Sequence, residues 1–148
     1  AFAIDPMRLV DSPSTGADVV GDALAWAEPH LRSGHGPVLV YSTAASDDVK
    51  RVQGQVGVAQ AGALVEHAVA AITRGLVQRG VRQLVVAGGE TSGACVQALG
   101  ITQMQIGPQI APGVPWCHTP EVNQGLHLAL KSGNFGATAF FTDAFSTL

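Results

Sequence analysis

The sharpest chemical feature of this sequence is a glycine-rich stretch, Gly88-Gly89-Glu90-Thr91-Ser92-Gly93. It follows a short apolar run at residues 83–87 and precedes a helix that we predict over residues 94–99. A turn from a strand into a helix gathers backbone N–H groups and the positive end of the helix dipole, which together bind phosphate. Glycines permit close approach to a ligand, and the two hydroxyls add donors. We therefore predict a phosphate-binding turn, although tight strand-to-helix turns also need glycine for structural reasons.

Glu90 is the unusual member of this turn, because a carboxylate repels phosphate. Three roles stay open for it: facing a Mg²⁺ shell, holding a ribose hydroxyl, or helping to cap the helix. The turn is neither a Walker A motif nor a GxGxxG motif. The absence of GxGxxG, and of the acidic residue that follows it by about 20 positions, argues against a dinucleotide-dependent oxidoreductase.

A second candidate stretch is Leu130-Lys131-Ser132-Gly133-Asn134-Phe135-Gly136. Glycines around Ser132 and Asn134 favour a turn with inward-pointing N–H groups, and Lys131 offers a positive charge to a polyphosphate. An ordinary glycine turn with a solvated lysine is the alternative. Because both stretches follow predicted strands, we expect them to share one site.

Other residues with chemical potential have simpler interpretations. Trp116 lies in a proline-stiffened segment and could stack on a base, but we expect it to fill the core. The five histidines lack metal-binding spacing, so we predict no metal site built from them. Cys95 and Cys117 are expected to be buried free thiols of a reducing cytoplasm. We identify no catalytic residue.

The predicted elements place these residues in an α/β fold. The apolar periodicity predicts helices that begin at Ser14 or Thr15, near Ser46 and near residue 56, and consecutive apolar residues predict buried strands. We expect a three-layer, Rossmann-like sandwich with a mostly parallel sheet in a single domain, residues 1–148. The predicted segments are an extended start at 1–13, helices at about 15–33, 56–79, 94–99 and 137–146, strands at 37–43, 83–87, 101–107 and 126–131, and a proline-rich loop from Pro108 to Pro120.

Composition excludes several classes of protein. Of 148 residues, 47% are hydrophobic and 13% charged, with a net charge of −3. This favours a folded domain with a surface that faces another domain or subunit, such as a homodimer. Without a basic stripe a nucleic-acid partner is not expected, and no apolar run reaches the ~20 residues of a membrane span.

Three strings make the chain resemble the four-carbon acid sugar kinases, which include the 3-oxo-tetronate, threonate and erythronate kinases. The resemblance covers about residues 36–141 and is to the C-terminal nucleotide-binding domain of that family. The matching strings are Val85-Val86-Ala87-Gly88-Gly89-Glu90-Thr91-Ser92-Gly93-Ala94, Ile106-Gly107-Pro108 with Pro112-Gly113-Val114-Pro115-Trp116, and Leu128-Ala129-Leu130-Lys131-Ser132-Gly133-Asn134-Phe135-Gly136.

This resemblance implies an ATP-dependent kinase of two domains. It implies that residues 88–93 cradle the phosphates of ATP-Mg²⁺, and that Ser132, Gly133 and Asn134 complete the nucleotide site. The sugar acid and the catalytic acidic residues would belong to an N-terminal domain, and the family's opening strand and Gly/Ser/Cys-rich loop have no counterpart here. We therefore expect a piece of a longer protein or a truncated relative. The alternative function is a non-catalytic module for nucleotide or anion binding, or for assembly.

Overall fold

The computed structural model describes residues 1–11, 16–34, 36–122, 124–133 and 135–148. The chain divides into two compact units, Ala1–Ile72 and Thr73–Leu148. The assignment of all 148 residues to one nucleotide-binding domain stays a prediction.

The first unit is mainly helical and contains one small sheet. Strands β1 and β2 pair in parallel, with Phe2 opposite Val40 and Ala3 opposite Tyr41. Buried side chains from three helices, including Leu9, Val19 and Val52, form its interior. The elements are β1 (Phe2–Ala3), α1 (Pro6–Asp11), α2 (Ala17–Ser33), β2 (Val40–Tyr41), α3 (Ser46–Val56) and α4 (Val58–Gln78), whose last residues from Thr73 belong to the second unit.

The start of the chain differs from the extended segment predicted for residues 1–13. Only Phe2–Ala3 is a strand, and Pro6–Asp11 is helical. The physical reason is a local cap: the Asp5 carboxylate accepts a hydrogen bond from the Met7 amide at 2.9 Å. Proline suits the first position of a helix, because its missing N–H would have no intrahelical partner there.

The other helices of this unit follow the predicted pattern with shifted ends. The predicted N-caps Ser14 and Thr15 lie outside the described residues, and α2 begins at Ala17 after Gly16, whose φ is 66°. Helix α3 begins at Ser46, where the sequence predicted a helix start, with Ala45 as its N-cap and Asp47 and Asp48 in its first turn. The strand predicted over 37–43 is shorter, at Val40–Tyr41.

The second unit contains a four-stranded mixed sheet in the order β3-β6-β5-β4. Strand β3 pairs with β6 in parallel, whereas β5 pairs antiparallel with both β6 and β4. The elements are β3 (Gln83–Ala87), α5 (Gly89–Ala98), β4 (Gln105–Ala111), β5 (Val114–Thr119), β6 (Leu126–Lys131), α6 (Phe140–Asp143) and a 3-10 turn (Ala144–Ser146).

The α/β class is confirmed. The described strands form two parallel pairings and two antiparallel ones, and the antiparallel pairings lie where the helix–strand alternation of the sequence ends.

The predicted proline-rich loop over 108–120 is wrong, because most of it forms the hairpin of β4 and β5. Pro108 is tolerated because β4 is an edge strand, where an absent N–H need not break a ladder. Pro115 pairs with Gln109 between two register shifts. The prolines therefore occupy the irregular part of this hairpin.

Trp116 fills the core of the second unit, as predicted. Its indole is fully buried, and Nε1 donates hydrogen bonds to the Ala144 carbonyl and the Thr147 hydroxyl, both at 3.0 Å. The Phe145 ring packs edge-on against it at 5.8 Å. The C-terminal residues are thereby attached to the sheet.

Both cysteines are free. Cys95 is buried on α5 with the Thr73 hydroxyl 3.3 Å from its sulfur, and Cys117 is half-buried on β5. Burial raises the pKa of both thiols, since it disfavours the thiolate. The hydrogen bond with Thr73 offsets this effect in part at Cys95.

Among the described helices, none is by itself long and apolar enough to cross a bilayer. Only together are helices α3 and α4 long and apolar enough to cross a bilayer, and a bend of 108° separates them.

We expect Trp116→Phe to lower the free energy of unfolding by about 2 kcal/mol, since it removes a buried N–H donor and part of the ring volume. Urea unfolding followed by circular dichroism measures the change. Trp26→Phe is the matched control, because the Trp26 indole in the first unit is only half-buried. It should lower the free energy of unfolding by less than Trp116→Phe does. Equal losses for the two variants would contradict the role given to Trp116.

Candidate functional site

The two glycine stretches meet at one edge of the mixed sheet. Strands β3 and β6 run in parallel with Ala87 opposite Lys131, so both strands end at the same place. The Gly88 amide then donates a hydrogen bond to the Lys131 carbonyl at 2.8 Å. This bond joins the first residue after β3 to the last residue of β6, so the two stretches begin side by side.

The first stretch forms a helix start and is not the open loop predicted over residues 88–93. Helix α5 begins at Gly89, five residues earlier than predicted, and Gly88 is its N-cap with φ 115°. The Ser92 amide donates to the Gly88 carbonyl at 2.9 Å, which closes the first turn. The glycines allow this early start, because Gly88 takes a φ that other residues rarely adopt.

The start of α5 has the properties of an anion site. The first amides of a helix have no intrahelical acceptor, and Gly88 has no side chain to cap them. A methyl group placed on Gly89 or Gly93 would meet no atom within 4 Å, so the space above these residues is open. A phosphate can therefore approach the backbone closely here, at the positive end of the helix dipole.

The side chains of this turn divide into exposed and buried ones. Glu90 is exposed, and Thr91 is half-buried with its hydroxyl facing Gly88. Ser92 is only 8% exposed, on the same side of α5 as Cys95, and its hydroxyl has no partner among the described residues. Thr91 is consequently more exposed than Ser92.

The second stretch begins with a buried lysine and continues with exposed residues. Lys131 is 9% exposed, whereas Ser132 and Gly133 are exposed. The Phe135 amide donates to the Ser132 carbonyl at 3.3 Å, which forms the turn. Asn134, the other residue predicted for this site, lies outside the described residues.

Sequence analysis missed the aromatic residues that support the second stretch. A methyl group on Gly113, at the tip of the β4–β5 hairpin, would lie 3.0 Å from the Phe135 ring. A methyl group on Gly136 would lie 2.5 Å from the Phe140 ring. Both glycines have positive φ and no room for a side chain. The sequence signal that could have indicated this support is the pair of adjacent phenylalanines, Phe140 and Phe141, which follows the glycine turn.

No group of three or more histidine, cysteine or acidic side chains in the described part of the chain could hold a metal ion. His118 and His127 lie opposite each other on β5 and β6, with ring centroids 4.8 Å apart. His127 lies four residues before Lys131 on β6, so the pair is separated from the two glycine stretches along the strand.

Comparison with known proteins places the chain in a family. Residues 1–141 match the family model described as nucleotide-binding C-terminal domain. The chain therefore belongs to this domain family, and the resemblance to the four-carbon acid sugar kinases is confirmed. The match begins at residue 1, ahead of the start near residue 36 that the motifs predicted.

The relatives that bear this out are longer proteins. A 3-oxo-tetronate kinase of Burkholderia multivorans is 53% identical over 148 residues, which is 100% of this chain and 33% of the relative. A 3-oxo-tetronate kinase of Cupriavidus necator is 51% identical over 149 residues, or 100% of this chain and 32% of the relative. A crystal structure of a Haemophilus influenzae protein matches with a TM-score of 0.85 and 39% identity, over 98% of this chain and 34% of that one. The chain spans about a third of the length of these proteins.

We expect Gly88→Ala to lower the free energy of unfolding by about 1–3 kcal/mol. The new methyl group would lie 3.0 Å from the Thr91 hydroxyl at a φ of 115°, which is strained for alanine. Gly89→Ala is the matched control: it meets open space inside a helix and should leave stability unchanged or raise it by up to about 1 kcal/mol. Urea unfolding of both variants checks the difference, and equal effects would contradict this account of the turn.

Proposed function

We propose that this chain binds ATP-Mg²⁺ as the nucleotide-binding part of a kinase that phosphorylates a four-carbon acid sugar. The observation that carries the proposal is the meeting of the two glycine stretches at the ends of β3 and β6, joined by the bond between Gly88 and Lys131. The names of the relatives, 3-oxo-tetronate kinases, support a substrate of the 3-oxo-tetronate type. The threonate and erythronate types remain part of the proposal through the resemblance of the motifs.

The residues at the start of α5 would bind the phosphates. Their free amides and the Thr91 hydroxyl donate hydrogen bonds to phosphate oxygens, and the open space over Gly89 and Gly93 admits the ligand. Ser132, Gly133 and Asn134 would add donors from the second stretch. ATP fits this arrangement, because the site offers backbone donors and little steric obstruction.

Magnesium would arrive with the nucleotide, since it binds readily through phosphate oxygens and one or two carboxylates. Glu90 is the exposed carboxylate nearest to these amides in sequence. Its role as a metal-shell ligand, a ribose contact or a helix-capping group stays part of the proposal. Bound magnesium would neutralise charge that develops on the transferred phosphoryl group.

Phosphoryl transfer depends mainly on positioning and electrostatic stabilisation. In this proposal the chain holds the terminal phosphate in line, and the acid sugar and the group that accepts its proton lie in the two thirds of the relatives that this chain does not span. We assign no catalytic residue here. Two free cysteines, one of them buried, support a reducing compartment such as the cytoplasm as the site of action.

A non-catalytic assembly module is the second candidate, and one surface favours it. Strand β4 is an edge strand, and Ile106 on it is 81% exposed. Exposed edges with apolar side chains can pair with another chain, including a second copy in a homodimer. This function predicts self-association without any nucleotide affinity.

We expect Gly89→Asp to abolish ATP binding and leave the fold as stable as before or more stable. Aspartate in the first turn of a helix interacts favourably with the dipole, by about 0.3–1 kcal/mol, but its charge repels phosphate. Isothermal titration with ATP-Mg²⁺ and thermal unfolding measure the two effects on the same samples.

Gly54→Asp is the control, because Gly54 is an exposed helical glycine with open space around it in the first unit. It changes the net charge equally and should leave binding intact. Wild-type chain without detectable affinity, or equal loss in both variants, would contradict the proposed site.

A further inference from the structure

Lys131 is a buried cation at the junction of the two stretches. It is the last residue of β6 and is 9% exposed, whereas Lys50, the other lysine of the chain, is exposed on α3. A buried ammonium group is costly unless its donors are paired. The partners of Lys131 therefore indicate what the residue does.

The ammonium group of Lys131 binds its own loop. Nζ donates to the Gly133 carbonyl at 2.9 Å and to the Ser132 carbonyl at 3.3 Å. It also lies 5.8 Å from the centroid of the Phe140 ring and 6.0 Å from that of Phe141, within the range of cation–π attraction. Two of its three N–H donors are thus engaged by consecutive carbonyls, and the rings favour the charge remaining there.

These contacts fix the orientation of a peptide group. In a trans peptide the C=O and N–H bonds point in opposite directions. Since the Ser132 carbonyl points at the ammonium group, the Gly133 amide in the same peptide group points away from it, and Gly133 is an exposed residue. Lys131 therefore binds the Gly133 carbonyl and shares the Ser132 carbonyl with the Phe135 amide, in the orientation that points the Gly133 amide away from the ammonium group.

The residues around Lys131 also restrict the position of its ammonium group. Phe140 is 3% exposed, and the chain turns tightly over it at Gly136, where φ is 85° and a methyl group would clash with the ring. The Lys131 carbonyl is itself bonded to the Gly88 amide. Backbone and side chain of Lys131 thus connect the start of α5, the second loop and the aromatic pair.

We propose that Lys131 is a positioning residue of the nucleotide site, which holds the Ser132 and Gly133 carbonyls toward its ammonium group so that the loop presents the Gly133 amide to phosphate. The proposal rests on the proposed function, and it gives Lys131 a different role from the direct charge partner expected from the sequence. A direct phosphate contact would draw the ammonium group from its two carbonyls or use its one remaining donor. That contact is the alternative outcome of the test.

The two lysines of the chain make the first part of the test direct. With lysine labelled by ¹⁵N, we expect the side-chain ammonium signal of Lys131 to exchange its protons more slowly with water than that of Lys50. On saturation with ATP-Mg²⁺ the Lys131 signal should stay near its position in the free chain. Rapid exchange in the free chain would refute the anchoring, and a large shift or a coupling to ³¹P would assign Lys131 to direct phosphate contact.

The second part measures affinity. We expect Lys131→Met to weaken ATP-Mg²⁺ binding by about tenfold, the equivalent of one hydrogen bond to a charged group, and Lys50→Met to leave it unchanged. Unchanged affinity of the Lys131 variant beside a binding wild type would refute the positioning role alone. Absence of binding by the wild type would refute the proposed function, and the positioning role with it.

Discussion

The parallel pairing of β3 with β6 is the constraint on which the candidate site depends. It places Ala87 opposite Lys131 and lets the Gly88 amide bond the Lys131 carbonyl at 2.8 Å. Two glycine stretches that are more than 40 residues apart in sequence therefore begin at the same edge. A shift of one residue in this register would invert every side chain of β6, exchanging the faces of buried residues, so the hydrophobic core enforces the geometry of the site.

The C-terminal segment packs against the second unit's sheet near this edge. It returns over one face of the sheet, where the Ala144 carbonyl accepts the indole N–H of Trp116 and Phe140 lies beneath the Lys131 ammonium group. The hairpin tip at Gly113 meets the Phe135 ring. Lys131 thus has aromatic contacts with the C-terminal segment and Phe135 has a contact with the hairpin, so a substitution in the hairpin can disturb a site to which it contributes no donor.

Sequence patterns predicted the parts of the structure that local chemistry determines. Residues 83–87 and 126–131 are strands as predicted, because runs of apolar residues bounded by glycines have few other solutions. The hairpin of β4 and β5 was missed because its prolines are typical of a loop. The register shifts on either side of Gln109 are what make these prolines compatible with strand pairing. The anchoring of Lys131 was also beyond local reasoning, since it depends on phenylalanines brought close by the fold. Three motifs in the right order identified the family even so.

The proposed site has little net charge for a site that binds a polyphosphate. Residues 88–93 contain one carboxylate, Glu90, and residues 131–136 contain one cation, Lys131, so their formal charges cancel. Attraction for phosphate must then come from amide groups and the helix dipole, whose influence falls off within the first turn. Such a site selects a phosphate ligand by the distances and directions of its hydrogen bonds more than by its charge. For this reason the positions of Gly88 and of the Ser132–Gly133 peptide matter more to the proposed function than an added lysine would. Precise placement of the terminal phosphate is also what phosphoryl transfer would require of this chain under the proposed function.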